Sequence, residues 1–480
     1  MKPGNLIVIL SDEHARDALG CYGNRVVQTP NIDRLASQGT RFAAAYTTCP
    51  ICVPARASMA TGRYVHEIGT WDNAFPYDGS SPSWAHVLRD QGFTVDSIGK
   101  LHFRSEDDDN GFTREIDPLH VVEGVGDVLG ALRDDPPFRH KRAGIEEAGP
   151  GDSGYLRYDA SNAEQACRWI AEHANDARPW VLFLSFVCPH PPYIAPPELF
   201  ERYRAAQLPM PPQWRRDEWP EHPAIDYFRR FFDFDEPFHE ATVRKLIAAY
   251  YGVCTYVDAQ IGRVLDAYAQ AGLGETTRLI YTSDHGECLG ARGIFGKFTM
   301  YDESAAIPMI VAGPGVASGK VVAMPVSFVD LFPTIIAAVG ATLPPEHEDG
   351  PGRSLWEAAQ AEEGERTVFS EYHAVGSRHA IFMLRNRRYK YVHYVGDRPQ
   401  LFDLERDPEE RHDLADAPDH LHVLRALEAE LRVLLDPEAT DARAKADQRA
   451  KIEAFGGRDA VIARGTFDNS PVPGEEPAFG

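Results

Sequence analysis

Two features of this chain predict an α/β fold followed by a smaller α+β unit. Apolar strand-like runs alternate with amphipathic stretches through roughly the first three quarters of its 480 residues. After Gly350 the texture changes to short strands with close turns, the pattern of an antiparallel sheet. The expected organisation is an α/β domain over residues 1–360, a small C-terminal α+β domain over 361–440 and a tail over 441–480.

The first strand is expected at 6–10, where Leu6-Ile7-Val8-Ile9-Leu10 is continuously apolar. Further strands are expected at 42–45, 94–98, 180–186, 279–282 and 309–312. Helices are expected at 31–38, 54–61, 84–91, 163–174, 243–271 and 328–339. Pro54 falls in the first turn of its helix, where a missing N–H costs little. Residues 104–154 are acidic and glycine-rich and read as a surface excursion. Residues 209–237 are rich in Trp, Phe, Pro and charge; they read as an insertion that walls a pocket or builds a subunit contact. Beyond Gly350, strands are expected at 367–371, 380–384, 389–393 and 401–404, then a helix at 421–435 with Leu at helical spacing. From Asp441 the chain is charged, then Gly/Pro-rich, and is expected to wrap a neighbouring surface or fray. No internal repeat is visible.

Composition excludes several partners. A formal net charge of -23 argues against nucleic acid, whose phosphates need a basic face, and against anionic membranes. An anionic small molecule stays possible, because a local cluster of cations outweighs a distant field. The chain enters its first strand without a basic and apolar leader, and no apolar run reaches the length of a membrane span. Seven scattered cysteines do not suggest a disulfide framework. The expectation is a cytoplasmic protein with free thiols.

Chemistry concentrates at predicted strand ends. Asp12-Glu13 follows the first strand, and Asp284-His285-Gly286-Glu287 follows the strand at 279–282. Ligands of open α/β sheets collect at the carboxyl ends of strands, so two acidic motifs there can converge on one divalent cation. Oxygen ligands suit calcium or magnesium, and an imidazole shifts the preference toward manganese or a softer metal. Read separately, Asp12 could cap a turn and Asp284 the next helix. A cationic set follows the same logic: Lys100 and His102 after the strand at 94–98, His190 after that at 180–186, and Lys297 just beyond the Asp284 motif. Around one point, with a metal and Arg56, they would form a strong anion hole. Gly296-Lys297 is not a P-loop: the required earlier glycine is Ala291 and the following Ser/Thr is Phe298.

The densest motif begins at Cys52. Pro54 follows two residues later, Arg56 four later, and Thr61-Gly62-Arg63 at nine to eleven. Cys49-Pro50-Ile51-Cys52 also has dithiol spacing, but a redox site needs none of those later residues, and no second C-x-x-C supports zinc. The Cys52 segment resembles the signature of type I sulfatases. With the other motifs in this order, the chain from Asn5 to about Leu414 resembles the sulfatase branch of the alkaline phosphatase superfamily, near the choline sulfatases and phosphonate monoester hydrolases.

That resemblance implies a large mixed β-sheet in the catalytic domain. It implies oxidation of Cys52 to formylglycine by a maturation enzyme, and one divalent metal, Ca2+ or Mn2+, held by Asp12, Glu13, Cys52, Asp284 and His285. Many sulfatases carry Asp at the place of Glu13 and Asn at that of His285; the phosphonate and choline sulfatase branches share Asp-His at the latter. Arg56 is expected to hold the formylglycine hydrate. Lys100, His102, His190 and Lys297 match the family's sulfate-handling cations, and Asn73 matches a polar contact to the transferred group. In the mechanism the resemblance implies, one hydroxyl of the hydrate would attack sulfur, His190, with Lys297, would protonate the leaving oxygen, and His102 would take the second hydroxyl's proton as sulfate leaves. A sulfate ester ranks ahead of a phosphonate monoester, phosphate diester or choline sulfate. The phosphonate hydrolases tend to carry Tyr and Thr at the places of Lys100 and His102, and no carboxylate for a choline ammonium is evident. Trp71, Phe75, Tyr77 and the aromatic residues of 209–237 are expected to wall an aryl sulfate pocket. The late aromatic and charged segments point to a homo-oligomer.

Overall fold

The computed structural model describes residues 4–361, 364–467 and 469–479. Its central sheet has eight strands: β1 (Asn5–Ser11), β2 (Gly39–Phe42), β3 (Thr94–Lys100), β4 (Arg114–Leu119), β5 (Trp180–Phe186), β6 (Thr277–Ser283), β7 (Met309–Ala312) and β8 (Lys320–Val322). They lie in the order β8-β2-β7-β6-β1-β5-β3-β4. β6, β1, β5, β3 and β4 are parallel, while β7 runs antiparallel to both its neighbours, so the sheet is mixed.

β1 and β5 are buried along their whole length, which is why they read as unbroken apolar runs. Side chains alternate between two cores. Ile7 and Ile9 face the core with Trp169 and Ile261, from α4 (Gly154–His173) and α5 (Glu240–Gln270). Leu6, Val8 and Leu10 face the core with Ala57, Trp84 and Phe332, from α2 (Cys52–Thr61), α3 (Trp84–Asp90) and α6 (Leu331–Val339). The remaining predicted helix is α1 (Pro30–Gln38). Ser11 is level with both Phe186 and Ser283, and Gly99 with Ser185. The segments after β1, β3, β5 and β6 therefore leave from one edge of the sheet. A second sheet, β9 (Val368–Tyr372), β10 (Ile381–Arg385), β11 (Tyr389–Tyr394) and β12 (Gln400–Asp403), is antiparallel throughout. Leu427 and Leu431 of α7 (Leu421–Leu434) pack on it.

The structure differs from expectation where burial is polar. The excursion at 104–154 contains β4, an edge strand whose Arg114, Glu115, Asp117 and Pro118 hide it from any apolar pattern. α4 begins at Gly154 rather than 163, capped by Ser153, whose Oγ accepts from Leu156 N at 3.3 Å. The expected strand at 42–45 divides: β2 ends at Phe42, and Ala45–Tyr46 pairs elsewhere, with Ala306–Ile307. Much of the tail is helical, α8 (Pro437–Phe455) and α9 (Arg458–Arg464), and packs on its own chain. The face of α8 is held mainly by polar bonds: Gln448 donates to Asp72 at 2.6 Å, Trp71 donates to Asp447 at 2.8 Å, and Asp441 accepts from Ala380 N at 2.8 Å. Among the described residues no helix is long and apolar enough to cross a membrane.

Lys390 of β11 is fully buried and ties the C-terminal sheet to the main domain. It pairs with Asp302 and, at 2.6 Å, with Glu410. Lys390→Met would leave two carboxylates buried together and should cost about 3–5 kcal/mol in urea unfolding. A loss below roughly 1 kcal/mol would show that the pair does not hold the sheet in place.

Candidate active site

Four strand ends, one helix start and the loops carrying Asn73 and Lys297 deliver the predicted residues to a single place. Asp12 and Glu13 leave β1, and Asp284 and His285 leave β6. Glu13 adopts a left-handed backbone (φ 64°), its N–H donating to Asp284 Oδ1 at 3.1 Å and its carbonyl accepting from Tyr250 at 2.6 Å. A strained residue held by its neighbours at a strand end is a mark of a functional turn. Cys52 is the first residue of α2, so its sulfur sits at the positive end of a buried helix. Val53 N, one of the helix's open donors, bonds Asn73 Oδ1 at 3.3 Å, which fixes Asn73 beside Cys52.

Cys52 Sγ lies 3.1 Å from His285 Nε2, 3.2 Å from Lys297 Nζ and 3.6 Å from Asp12 Oδ1. Ligating atoms of Asp12, Cys52, Asp284 and His285 all fall within 4.8 Å of one another, and all four residues are buried. Lys100 Nζ pairs with Asp12 Oδ2 at 2.7 Å, and Lys297 Nζ with Glu13 Oε2 at 2.7 Å. Arg56 donates to Asp284 Oδ2 (2.7 Å), Asp12 Oδ2 (2.9 Å), Lys100 O (2.7 Å) and Ser185 Oγ (3.0 Å). These bonds go to two carboxylates, a carbonyl and a hydroxyl rather than to residue 52. His190 Nδ1 bonds the Pro191 carbonyl at 2.7 Å, leaving Nε2 3.6 Å from Glu13 Oε2. Nδ1 therefore carries a proton. His102, also left-handed (φ 59°), bonds Ser470 Oγ through Nε2 at 3.0 Å.

Burial dominates the proton equilibria here. It would raise Asp12, but Lys100 and Arg56 hold that carboxyl well below the usual range. Burial pushes Glu13 up to about 8 against the pull of Lys297, and a cation nearby would reverse that. Burial and Asp12 push the Cys52 thiol up to about 12, so as a thiol it is a poor nucleophile. Cys49 is also buried, its thiol raised by burial and Glu371, and both cysteines are free. Such a pair does not suit a dithiol redox site. Burial, with Lys100, keeps His102 neutral, and burial, with Lys297, keeps His190 neutral.

Glu13, Cys52, Asn73, Lys100, His102, His190 and Lys297 line the floor of a cavity of about 310 Å3. Phe232, Phe234, Phe295 and Phe298 form its aromatic wall. The insertion at 209–237 thus contributes a pocket wall through Phe232 and Phe234. Trp71, Phe75 and Tyr77, expected in that wall, are turned away. Trp71 packs on His373 under Arg443, Phe75 lies beneath Lys451, and Tyr77 packs on Phe103. The segment carrying them docks onto α8, and only Asn73 of the group reaches the cavity. Two contributors escaped the sequence reading. Glu287 is buried and accepts from Tyr193 at 2.7 Å and Gly296 N at 2.7 Å, supporting the loop that carries Lys297. Ser470 lies in the tail, far from any motif. Glu287 was visible as the last residue of the Asp284 motif; nothing marked Ser470.

Known proteins place the chain in a family. The sulfatase family matches residues 4–341, and the N-sulphoglucosamine sulphohydrolase C-terminal family matches 290–436. A choline-sulfatase of Rhizobium meliloti is 30% identical over 429 residues, covering 86% of this chain and 83% of its own. An arylsulfatase K of Danio rerio is 30% identical over 464 residues, covering 90% and 84%. A phosphonate monoester hydrolase from Silicibacter pomeroyi superposes with a TM-score of 0.71 at 26% identity, over 89% of this chain and 94% of that one. This chain belongs to the sulfatase family of the alkaline phosphatase superfamily and is a sulfuric ester hydrolase.

Proposed function

We propose that the protein hydrolyses a sulfate monoester, an aryl sulfate by preference, to the free phenol or alcohol and sulfate, with residue 52 acting as formylglycine hydrate. The observation that carries this reading is the position of Cys52 Sγ. It lies on the cavity floor within 3.1–3.6 Å of His285, Lys297 and Asp12. The donor set suits a hard or borderline dication, Ca2+ or Mn2+. Asp12, Asp284 and His285 would hold it with residue 52. Glu13 would join through whichever oxygen Lys297 leaves open, since that lysine takes Oε2. The cation would supply Lewis acidity and lower the pKa of a hydroxyl beside it. A maturation enzyme acting on Cys52 is a required partner.

Each side chain then has a definable task. Arg56 ties Asp12 to Asp284, so it sets the carboxylates as much as it stabilises charge. Lys100 and Lys297 offer ammonium groups to the sulfuryl oxygens. Asn73 presents its amide at the same floor. His190, neutral among lysines, gains a proton on Nε2 once an anionic substrate offsets Lys297 and Lys100; it then protonates the leaving oxygen. His102, held neutral, accepts the proton whose loss releases sulfate.

The walls favour a flat apolar leaving group. Asp127, a carboxylate in the cavity wall, is held by Arg139 through both its oxygens at 2.9 Å, so it is poorly placed to take a choline ammonium. A phosphonate monoester or phosphodiester hydrolase using the same site is the second reading, favoured by the phosphonate hydrolase's fold. Lys100 and His102 argue for sulfate.

Peptide mass spectrometry of active protein should find formylglycine or its hydrate at position 52, and Cys52→Ala should lower kcat/KM by about 10^4-fold or more while the protein stays folded. Full turnover with an unmodified thiol would contradict the assignment. Comparison of kcat/KM for 4-nitrophenyl sulfate and a phenylphosphonate monoester should favour the sulfate by about tenfold or more. A tenfold preference for the phosphonate would reverse the ranking of the two readings.

A further inference from the structure

His102 stands apart from the charged ring in one respect: a residue from the far end of the chain sets its environment. Nε2 meets Ser470 Oγ at 3.0 Å, while Nδ1 is buried and has no hydrogen-bond partner among the described residues. Ser470 is itself buried, and its carbonyl accepts from Tyr155 of α4 at 2.5 Å. The Tyr155 ring lies edge-on to His190, centroids 6.0 Å apart. One tail residue thus touches His102 directly and the support of His190 indirectly.

The hydrogen-bond geometry selects a tautomer. If Ser470 donated to Nε2, Nδ1 would carry a buried N–H with no acceptor. If Nε2–H donates to Ser470, Nδ1 keeps a lone pair, and an unsatisfied buried acceptor is tolerated better than an unsatisfied donor. We propose that Ser470 is a positioning residue that holds His102 as the Nε2–H tautomer, leaving Nδ1 as the nitrogen that takes the proton during sulfate release. The tail is on this account part of the active site, and its docking through α8 is a condition of turnover. The inference rests on the role given to His102 in the proposed function, but the tautomer itself does not.

Two measurements separate these levels. In full-length protein labelled with 15N-histidine, before conversion of Cys52, long-range 1H–15N spectra should show His102 as the Nε2–H form. Ser470→Ala should abolish that preference, and Ser470→Thr, which keeps the hydroxyl, should restore it. In converted enzyme, Ser470→Ala should lower kcat for 4-nitrophenyl sulfate by about tenfold or more, KM staying within about twofold, with rescue by Ser470→Thr. An Nδ1–H tautomer in the wild type, or a His102 spectrum unmoved by Ser470→Ala, overturns the proposal. A spectrum that moves while kcat does not would leave Ser470 orienting His102 but remove His102 from catalysis, contradicting the role assigned above.

Discussion

Six buried ionisable groups packed around one sulfur are the constraint on which the rest of the structure depends. Asp12, Glu13 and Asp284 face Arg56, Lys100 and Lys297, and each of these side chains is almost wholly removed from water. Isolated, any of them would cost several kcal/mol to bury. Paired, they can be kept only if β1, β3, β6, α2 and the loop carrying Lys297 hold fixed relative positions. The parallel register supplies this by bringing strand ends level. A slip of one residue in β1 would turn Asp12 away from Arg56 and strand the charge.

The balance of this ring also explains how a chain of net charge -23 can attract an anion. With a divalent ion bound, which would hold Glu13 ionised, three carboxylates would offset three cations and the ion would leave the site positive by its own charge. A deprotonated hydroxyl at residue 52 and a sulfate monoester would then return it to neutrality. The distant acidic surface is screened over about 10 Å at ordinary salt, while these groups act at contact distance inside a poorly solvated cavity. The aromatic wall adds apolar surface to the cavity without adding charge.

Much of this could be read from the sequence, for a physical reason. Parallel strands covered on both faces are unbroken apolar runs, and the residue that follows such a run must emerge at the sheet's edge. The places of Asp12, Lys100, His190 and Asp284 at strand ends therefore follow from the apolar pattern alone. What escaped notice is tied down by polar bonds rather than apolar periodicity. β4 is a charged edge strand, α8 buries Thr440, Asp441 and Gln448, and Ser470 acts through a single hydroxyl. Trp71, Phe75 and Tyr77 misled in the opposite way: large aromatic residues beside Asn73 suggested a pocket wall, but they pack against the tail. Arg56 fell where expected, yet its bonds run to Asp12 and Asp284, a geometry that motif spacing cannot convey.

The central claim is that residue 52 shares one dication with carboxylates from β1 and β6. Crystals of the converted protein grown with Mn2+, with diffraction recorded at the manganese edge, test it most directly. The account predicts one strong anomalous peak bonded to Asp12, Asp284, His285 and an oxygen on residue 52. A peak lying elsewhere, or residue 52 outside the metal's coordination sphere, would contradict it.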